Sequence, residues 1–145
     1  MQLTQHFSLE ELVHSDIAVR RGLDNTPDAN AMENLRMLAG YLERIRTLLA
    51  VPLIIHSGYR SLRVNIAVGG SLNSAHMRGE AADFTAPAYG TPQGVCKKIM
   101  TSDIPFDQLI YEGTWVHYGI NGMMRRRVLT AHFGNGPVTY SQGIA

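Results

Sequence analysis

Two histidines and one aspartate in this sequence have types and a spacing suited to holding a metal ion. His76 and Asp83 lie in the stretch SAHMRGEAAD, residues 74–83, and His117 follows much later in the stretch WVH. Hydrolytic zinc sites use three protein ligands and leave a fourth position open for water. The three side chains therefore make a candidate catalytic zinc site, provided that the fold brings them together.

The composition limits what else the chain can be. At 145 residues with 45% hydrophobic residues, the chain is long enough for one core, and we expect a single domain over residues 1–145. The 13 Lys and Arg residues against 12 Asp and Glu residues leave no strongly basic surface, so no nucleic-acid partner is expected. Because Cys96 is the single cysteine, an intramolecular disulfide and a cysteine-rich zinc site are excluded.

The N-terminal residues contain no apolar run of the length that a signal-peptide core requires. Polar side chains interrupt the first twenty residues at His6, Glu10, Glu11, His14 and Asp16. No other stretch reaches the ~20 apolar residues of a membrane span. We therefore expect a monomer that is made in the cytoplasm without a signal peptide and does not insert into membranes.

Capping signals and hydrophobic periodicity predict helices in the first part of the chain. Ser8 fits a capping box and predicts a short helix over residues 9–15, which an irregular segment over residues 20–25 follows. Thr26 precedes a proline and suits the N-cap of a long helix over residues 27–50. Leu and Ile recur there every three or four residues, as on the buried face of an amphipathic helix.

The rest of the chain has the alternation and the turn signals of a mostly antiparallel sheet. Strands are predicted at residues 51–57, 80–85, 106–112, 115–120 and 125–133. A helix is predicted over residues 92–101, and residues 62–75 are expected to form a loop that delivers His76. Asn121-Gly122 predicts a hairpin into the last strand, and a turn at residues 134–137 precedes a short tail. The arginines at residues 125–127 are expected to form a solvated, alternating strand face.

A second hairpin places an acid beside the last candidate ligand. With Gly113-Thr114 as a two-residue turn, Glu112 and His117 become diagonal neighbours on one face, about 7–8 Å apart. A carboxylate near a zinc site acts as a general base in metal-assisted hydrolysis, and Glu112 is therefore the predicted base.

Asp83 and Arg60 each allow more than one interpretation. A carboxylate in an apolar strand, such as Asp83, needs a metal or another cation to offset its desolvation. Arg60 lies at a strand end before a Gly-rich loop, where its planar guanidinium suits a substrate carboxylate or an oxyanion. Alternatively, Arg60 ties down the loop through backbone carbonyls.

Four sequence elements surround the candidate ligands: SGYRS at residues 57–61, Asn65 with VGGS at 68–71, S-x-H-x-x-G-x-A-x-D at 74–83, and WVH at 115–117. In this pattern the chain resembles the zinc D-alanyl-D-alanine carboxypeptidase family of peptidoglycan peptidases. Relatives in that group include phage L-alanyl-D-glutamate endopeptidases and the hedgehog signalling domain. Together with the long helix the four elements span about residues 6–120.

The resemblance implies an α+β domain with helices packed against a central antiparallel sheet that carries the zinc site. It implies one zinc per chain, with His76, Asp83 and His117 as the metal ligands. It also implies cleavage of peptide bonds in bacterial peptidoglycan stem peptides, either at a terminal D-Ala or at an internal L-Ala-D-Glu bond.

Residues of the shared motifs that lie near the candidate ligands are expected to bind the substrate. Arg60 is expected to be catalytic and substrate-binding, with Tyr59 and Ser74 as further substrate-binding residues. Many family members carry an acid three residues before the last zinc histidine, where this chain has Thr114. Glu112 is the nearest acid and remains the assigned base.

The departure at Thr114 keeps a second function open. The alternative is a non-catalytic cell-wall-binding or phage structural module that retains a structural zinc. A metal-free interaction domain is a third possibility. The absence of a signal sequence fits a phage or prophage endolysin that a holin releases to the cell wall, or a part of a phage particle.

Overall fold

A six-stranded sheet with helices packed on one face forms the frame of the chain, and the computed structural model describes residues 1–145. The helices are α1 (Leu9–Val13), α2 (Asp16–Arg21), α3 (Ala29–Leu49), α4 (Leu62–Ala67) and α5 (Pro92–Met100), with a 3-10 helix at Ala75–Arg78. The strands are β1 (Ile54–Ser57), β2 (Ala81–Thr85), β3 (Gln108–Tyr111), β4 (Val116–Gly119), β5 (Arg127–His132) and β6 (Thr139–Gln142). The predicted α+β class is confirmed.

The sheet has the order β1-β2-β4-β3-β5-β6, and every neighbouring pair is antiparallel except β3 with β5. The predicted hairpin at Gly113-Thr114 is confirmed, because Ile110 pairs with His117 and the Glu112 N–H donates to the Trp115 carbonyl at 3.1 Å. No helix has both the length and the apolarity needed to cross a membrane.

The core lies between the sheet and α3. The predicted apolar face of α3 is confirmed and consists of Leu35, Leu38, Leu42, Ile45 and Leu49, all buried. From β2, Ala82 and Phe84 belong to the same core cluster. Because side chains alternate along a strand, Asp83 projects from the opposite face, away from the helices.

Helix α3 begins later than the sequence suggested. Its N-cap is Asp28, whose carboxylate accepts from the Ala31 N–H at 2.8 Å. Thr26, the predicted cap, instead donates its backbone N–H and its hydroxyl to Asp24 at 2.9 and 2.7 Å. The prediction of a helix from residue 27 was therefore wrong by two residues, since an aspartate close by provides the stronger cap.

Two short helices occupy segments for which no helix was predicted. Helix α2 has Ser15 as its N-cap and ends at Gly22, which adopts a left-handed conformation with φ 65°. Helix α4 has Ser61 as its N-cap, and it replaces the first half of the loop predicted over residues 62–75. Both serines accept from the backbone three residues later, as Ser8 does for α1.

The prediction of a hairpin at Asn121-Gly122 was wrong. Strand β5 does not return beside β4 but crosses to the free edge of β3 and runs parallel to it. The Asn121 carboxamide oxygen accepts from the Met123 and Met124 N–H groups at 2.8 and 3.2 Å, so this residue organises the crossover. The segment expected to be a tail forms β6, which pairs with β5.

The three consecutive arginines do not form an alternating strand face, because β5 begins only at Arg127. The Arg125 guanidinium donates to both oxygens of Asp107, at 2.8 and 2.9 Å. Arg126 lies over the Phe106 ring, 4.3 Å from its centroid. Two of the arginines thus fasten the crossover to the sheet.

Gly58 supplies a test of how closely α1 packs on the end of β1. A Cβ at this position would lie 2.2 Å from the Leu12 carbonyl oxygen, which accepts from the Tyr59 N–H at 2.7 Å. We expect Gly58→Ala to lower the free energy of unfolding by about 1–3 kcal/mol, because the backbone must shift to admit the methyl group.

The matched control is Gly40→Ala in the exposed middle of α3, where nothing lies within 4 Å of an added Cβ. This variant should be more stable than wild type by up to about 1 kcal/mol, because alanine favours a helix interior. Denaturant unfolding followed by circular dichroism measures both. A Gly58→Ala protein as stable as wild type would contradict the packing described here.

Candidate metal centre

Three different elements supply the candidate ligands. Asp83 lies on β2 directly opposite His117 on β4, so the two side chains project from the same face of the sheet. His76 lies on the 3-10 helix that precedes β2 and ends at Gly79 with φ 74°. A Cβ on Gly79 would lie 2.6 Å from the Ala31 carbonyl oxygen, so glycine allows this helix to sit against α3.

The fold brings the three side chains together away from solvent. The distance from His117 Nδ1 to Asp83 Oδ1 is 2.9 Å, and that from His76 Nε2 to the same oxygen is 3.3 Å. One ligand atom from each residue lies within 4.8 Å of the others. The side chains of His76, Asp83 and His117 are 3%, 9% and 11% exposed. A single cation can therefore contact all three.

The orientation of His76 fits metal ligation. Its Nδ1 lies 2.7 Å from the Gly58 carbonyl oxygen, which can only accept, so Nδ1 carries the proton. The lone pair of the neutral imidazole is then on Nε2, the atom that faces Asp83. Histidines that bind metals commonly donate their other N–H to a backbone carbonyl in this way, which fixes the ring and the tautomer. Two imidazole nitrogens and one carboxylate oxygen match the ligand types of zinc.

The site holds a carboxylate in its charged form. Burial acts to raise the pKa of Asp83, but the charges of the two imidazoles and their hydrogen bonds outweigh it and hold that pKa well below its usual range. Burial lowers the pKa of His76. Burial also disfavours the charged form of His117, yet the hydrogen bond to Asp83 raises the pKa of His117 overall. An ionised aspartate and a neutral His76 are the states that metal binding requires.

Glu112 lies where the hairpin prediction placed it. Its Oε1 is 3.8 Å from His117 Nδ1, and its side chain is 19% exposed. Burial raises the pKa of Glu112. A carboxylate with a raised pKa accepts and returns a proton more readily near neutral pH. Thr114 lies exposed at the hairpin turn and does not line the cavity.

Arg60 faces the same site from the end of β1. Its Nη2 donates to the Ser74 hydroxyl at 3.3 Å, and that hydroxyl also accepts from the His76 N–H at 3.2 Å. Arg60 Nε is buried without a hydrogen-bond partner. No side-chain hydrogen bond from Arg60 to a backbone carbonyl is present, and its contact with the segment predicted as a loop is made through the Ser74 hydroxyl.

A groove with a volume of about 700 Å³ contains the three candidate ligands, Glu112, Arg60 and Ser74. Tyr59, which we expected to bind substrate, is absent from its lining. The Tyr59 side chain is buried in the main core, because it projects to the opposite side of the chain from its neighbour Arg60.

Sequence reasoning missed the far wall of the groove. That wall comes from the C-terminal strands and includes Arg127, Leu129, Phe133 and Tyr140. The alternation of Arg127, Leu129 and residue 131 along β5 was a usable signal. However, these side chains lie on the ligand-bearing face of the sheet only because β5 pairs in parallel with β3, and the sequence does not indicate that pairing.

A buried His-Asp-His group beside a carboxylate and an arginine in a groove has the parts of a metal-dependent hydrolase site. The chain matches the family model described as Peptidase M15 over residues 5–119. Because this match covers well over half of the chain, the chain belongs to the Peptidase M15 family, which is a family of metallopeptidases. A search of curated proteins finds no match. The matched residues include all three candidate ligands and Glu112, and end before β5.

The pKa shifts predict how metal binding depends on pH. In the metal-free protein the hydrogen bond and charge of Asp83 raise the pKa of His117, so protons already compete for this nitrogen at pH values above the ordinary histidine pKa of about 6.5. We expect the affinity for zinc to fall progressively as the pH decreases from 8 to about 5.5. Competition with a chromogenic chelator measures it.

Loss of the fold is not expected to contribute over this range. The pKa of Asp83 is depressed in the folded protein, so its stabilising contribution is complete above the ordinary aspartate value of about 4 and is lost only as the pH falls further. Below about pH 6.5 the lowered pKa of His76 costs stability, whereas the raised pKa of His117 adds stability, so these two effects oppose each other. Circular dichroism of the metal-free protein should therefore stay constant over the titration. A zinc affinity that did not change with pH would contradict histidine ligation.

Proposed function

We propose that the chain is a zinc-dependent peptidase that cleaves peptide bonds in bacterial peptidoglycan stem peptides. The observation that carries the proposal is the convergence of His76, Asp83 and His117 in a groove, with Glu112 beside them. Membership of the Peptidase M15 family supports the same activity. The bond that is cleaved in this proposal is either a terminal D-Ala-D-Ala bond or an internal L-Ala-D-Glu bond.

In this proposal His76, Asp83 and His117 hold one zinc ion per chain. When bound, zinc supplies a Lewis acid that polarises a carbonyl and lowers the pKa of water. Glu112 accepts the proton of the attacking water and delivers it to the leaving amine, for which its raised pKa suits it. Burial of the site excludes bulk water, which strengthens these electrostatic interactions.

Arg60 and Ser74 orient the substrate. The Ser74 hydroxyl links the Arg60 guanidinium to the backbone of the ligand His76, so the position of the arginine is fixed relative to the metal site. The free donors of Arg60 are available for the scissile carbonyl oxygen or for the terminal carboxylate of the peptide, which its planar geometry matches.

A non-catalytic module that keeps a structural zinc is the second candidate, and the observation that favours it is Thr114. In many relatives this position carries the acid, whereas here the side chain is exposed at a turn. In such a module the same groove would bind the wall peptide without cutting it. The proximity of Glu112 to His117 favours the enzyme.

The site of action in this proposal is the bacterial cell wall. A phage or prophage protein, released through a holin or carried in a phage particle, would reach that substrate.

The first test measures metal and activity together. We expect mass spectrometry of the tag-free protein to find about one zinc per chain, and His76→Ala to lose that zinc, because a ligand is removed. Wild type should release free amines from purified peptidoglycan, and His76→Ala should not. The matched control His14→Ala removes a histidine whose side chain is 63% exposed, outside the groove, and should change neither result. Zinc-loaded wild type that leaves peptidoglycan and defined stem peptides intact would refute the enzyme.

The second test identifies the base. Glu112→Gln should lower kcat about 10²- to 10⁴-fold while the protein keeps its zinc, because a proton acceptor is lost and the metal ligands remain. Thr114→Ala should leave kcat and zinc content unchanged. A loss of kcat in Thr114→Ala, with Glu112→Gln fully active, would reverse the assignment. Unchanged peptide binding by Glu112→Gln, with no turnover in wild type, would favour the binding module.

A further inference from the structure

Strand β5 places one arginine on the same face of the sheet as the candidate metal centre. In the observed register His117 pairs with Ile110, and Ile110 pairs with Leu129. Paired residues in a sheet project to the same side, and so do residues two apart along a strand. Arg127 precedes Leu129 by two residues and therefore faces the groove, where it is part of the lining.

The groove carries an excess of positive charge. Its lining includes the four arginines 60, 78, 125 and 127 against the three carboxylates Asp83, Asp107 and Glu112. A divalent metal would increase this excess. A positively charged groove favours the approach of anionic ligands over cationic ones.

Arg127 differs from the other groove arginines because its guanidinium has no partner within the chain. The other three have partners: Arg78 pairs with Glu80 at 2.6 Å, Arg125 pairs with Asp107 at 2.8 Å, and Arg60 donates to Ser74 at 3.3 Å. Arg127 is exposed and makes no ion pair within 4 Å and no side-chain hydrogen bond. Its charge helps to lower the pKa of Asp107, but the oxygens of that carboxylate are held by Arg125. Its five donors are therefore available to a ligand in the groove.

The sheet geometry sets the distance from this arginine to the metal centre. Strands β4 and β5 are separated by two strand spacings, roughly 10 Å, and Arg127 is displaced along the strand by a further ~7 Å. The Cα atoms of Arg127 and His117 are thus about 12 Å apart. An extended peptide advances about 3.5 Å per residue and the arginine side chain covers part of the ~12 Å, so Arg127 reaches a group two or three residues from the bond at the metal.

We propose that Arg127 binds a free carboxylate of the peptide substrate, two or three residues from the scissile bond, and so selects acidic peptides. The proposal rests on the proposed function. A guanidinium holds a carboxylate through two parallel hydrogen bonds, which fixes both the identity and the position of the group. Ile110 and Leu129 form an apolar floor between the carboxylate subsite and the metal centre. Arg127 lies beyond residue 119, where the family match ends.

The test compares Arg127→Ala with wild type on a defined set of substrates. The set contains one synthetic stem peptide with all its carboxylates free and variants in which each carboxylate outside the cleaved bond is amidated in turn. We expect Arg127→Ala to raise KM at least about tenfold for the parent peptide, with little change in kcat, because a charge-assisted contact remote from the reacting atoms is lost. For the peptide in which the carboxylate bound by Arg127 is amidated, the KM values of wild type and Arg127→Ala should coincide, because the contact is absent from both.

Two further variants separate the role of Arg127 from a general effect of charge. Arg63→Ala removes another exposed arginine, which lies on α4 outside the groove, and should leave KM unchanged for every peptide. Arg127→Lys should restore part of the affinity, since it keeps the charge but not the planar fork. Equal KM values for Arg127→Ala and wild type on the parent peptide would overturn the proposal. A loss of the same size on all the peptides would also overturn it.

Calorimetry with the zinc-loaded proteins keeps the proposal testable if wild type cleaves none of these peptides. In that case the proposed function fails, and binding decides the subsite separately. The carboxylate subsite is supported if wild type binds the parent peptide more tightly than one of the amidated peptides, and Arg127→Ala binds these two peptides equally. The same affinity of both proteins for the parent peptide overturns it.

Discussion

The antiparallel pairing of β2 with β4 is the interaction on which the candidate site depends, because it sets Asp83 opposite His117. The same register turns Ala82 and Phe84 into the core under the helices, so packing on one face fixes the chemistry on the other. A slip of one residue would exchange the two faces and bury the carboxylate among apolar side chains. The free energy that holds the register therefore comes from the hydrophobic core, while the imidazoles keep Asp83 charged.

Local signals in the sequence were sufficient for much of this arrangement. The Gly113-Thr114 hairpin, the strand that carries Asp83 and the buried face of α3 each follow from a few neighbouring residues. The position of β5 does not, because the free edge of β3 competes with β4 as its partner, and no short-range pattern separates parallel from antiparallel pairing. Helices α2 and α4 were missed although Ser15 and Ser61 cap them, since their segments are too short and too polar to show helical periodicity.

The direction in which a side chain projects was also not predictable from the sequence, as two adjacent residues illustrate. Tyr59 and Arg60 follow β1 as neighbours in one motif, yet the tyrosine enters the core and the arginine enters the groove. A motif identifies which residues matter, whereas only the direction of each side chain tells structural from substrate-facing roles. Arg127 is the reverse case: no motif marks it, and its role follows from the register of β5 against β3.

The parallel attachment of β5 also bears on the solubility of the chain. Without it, β3 would present the apolar segment Gln108–Tyr111 as an open sheet edge. Open edges of this kind pair with the edges of other molecules and lead to aggregation. Strand β5 covers that edge, and the sheet then ends at β6, whose four residues are all exposed and include the polar Ser141 and Gln142. The C-terminal strands thus move the open edge of the sheet from an apolar strand to a more polar one.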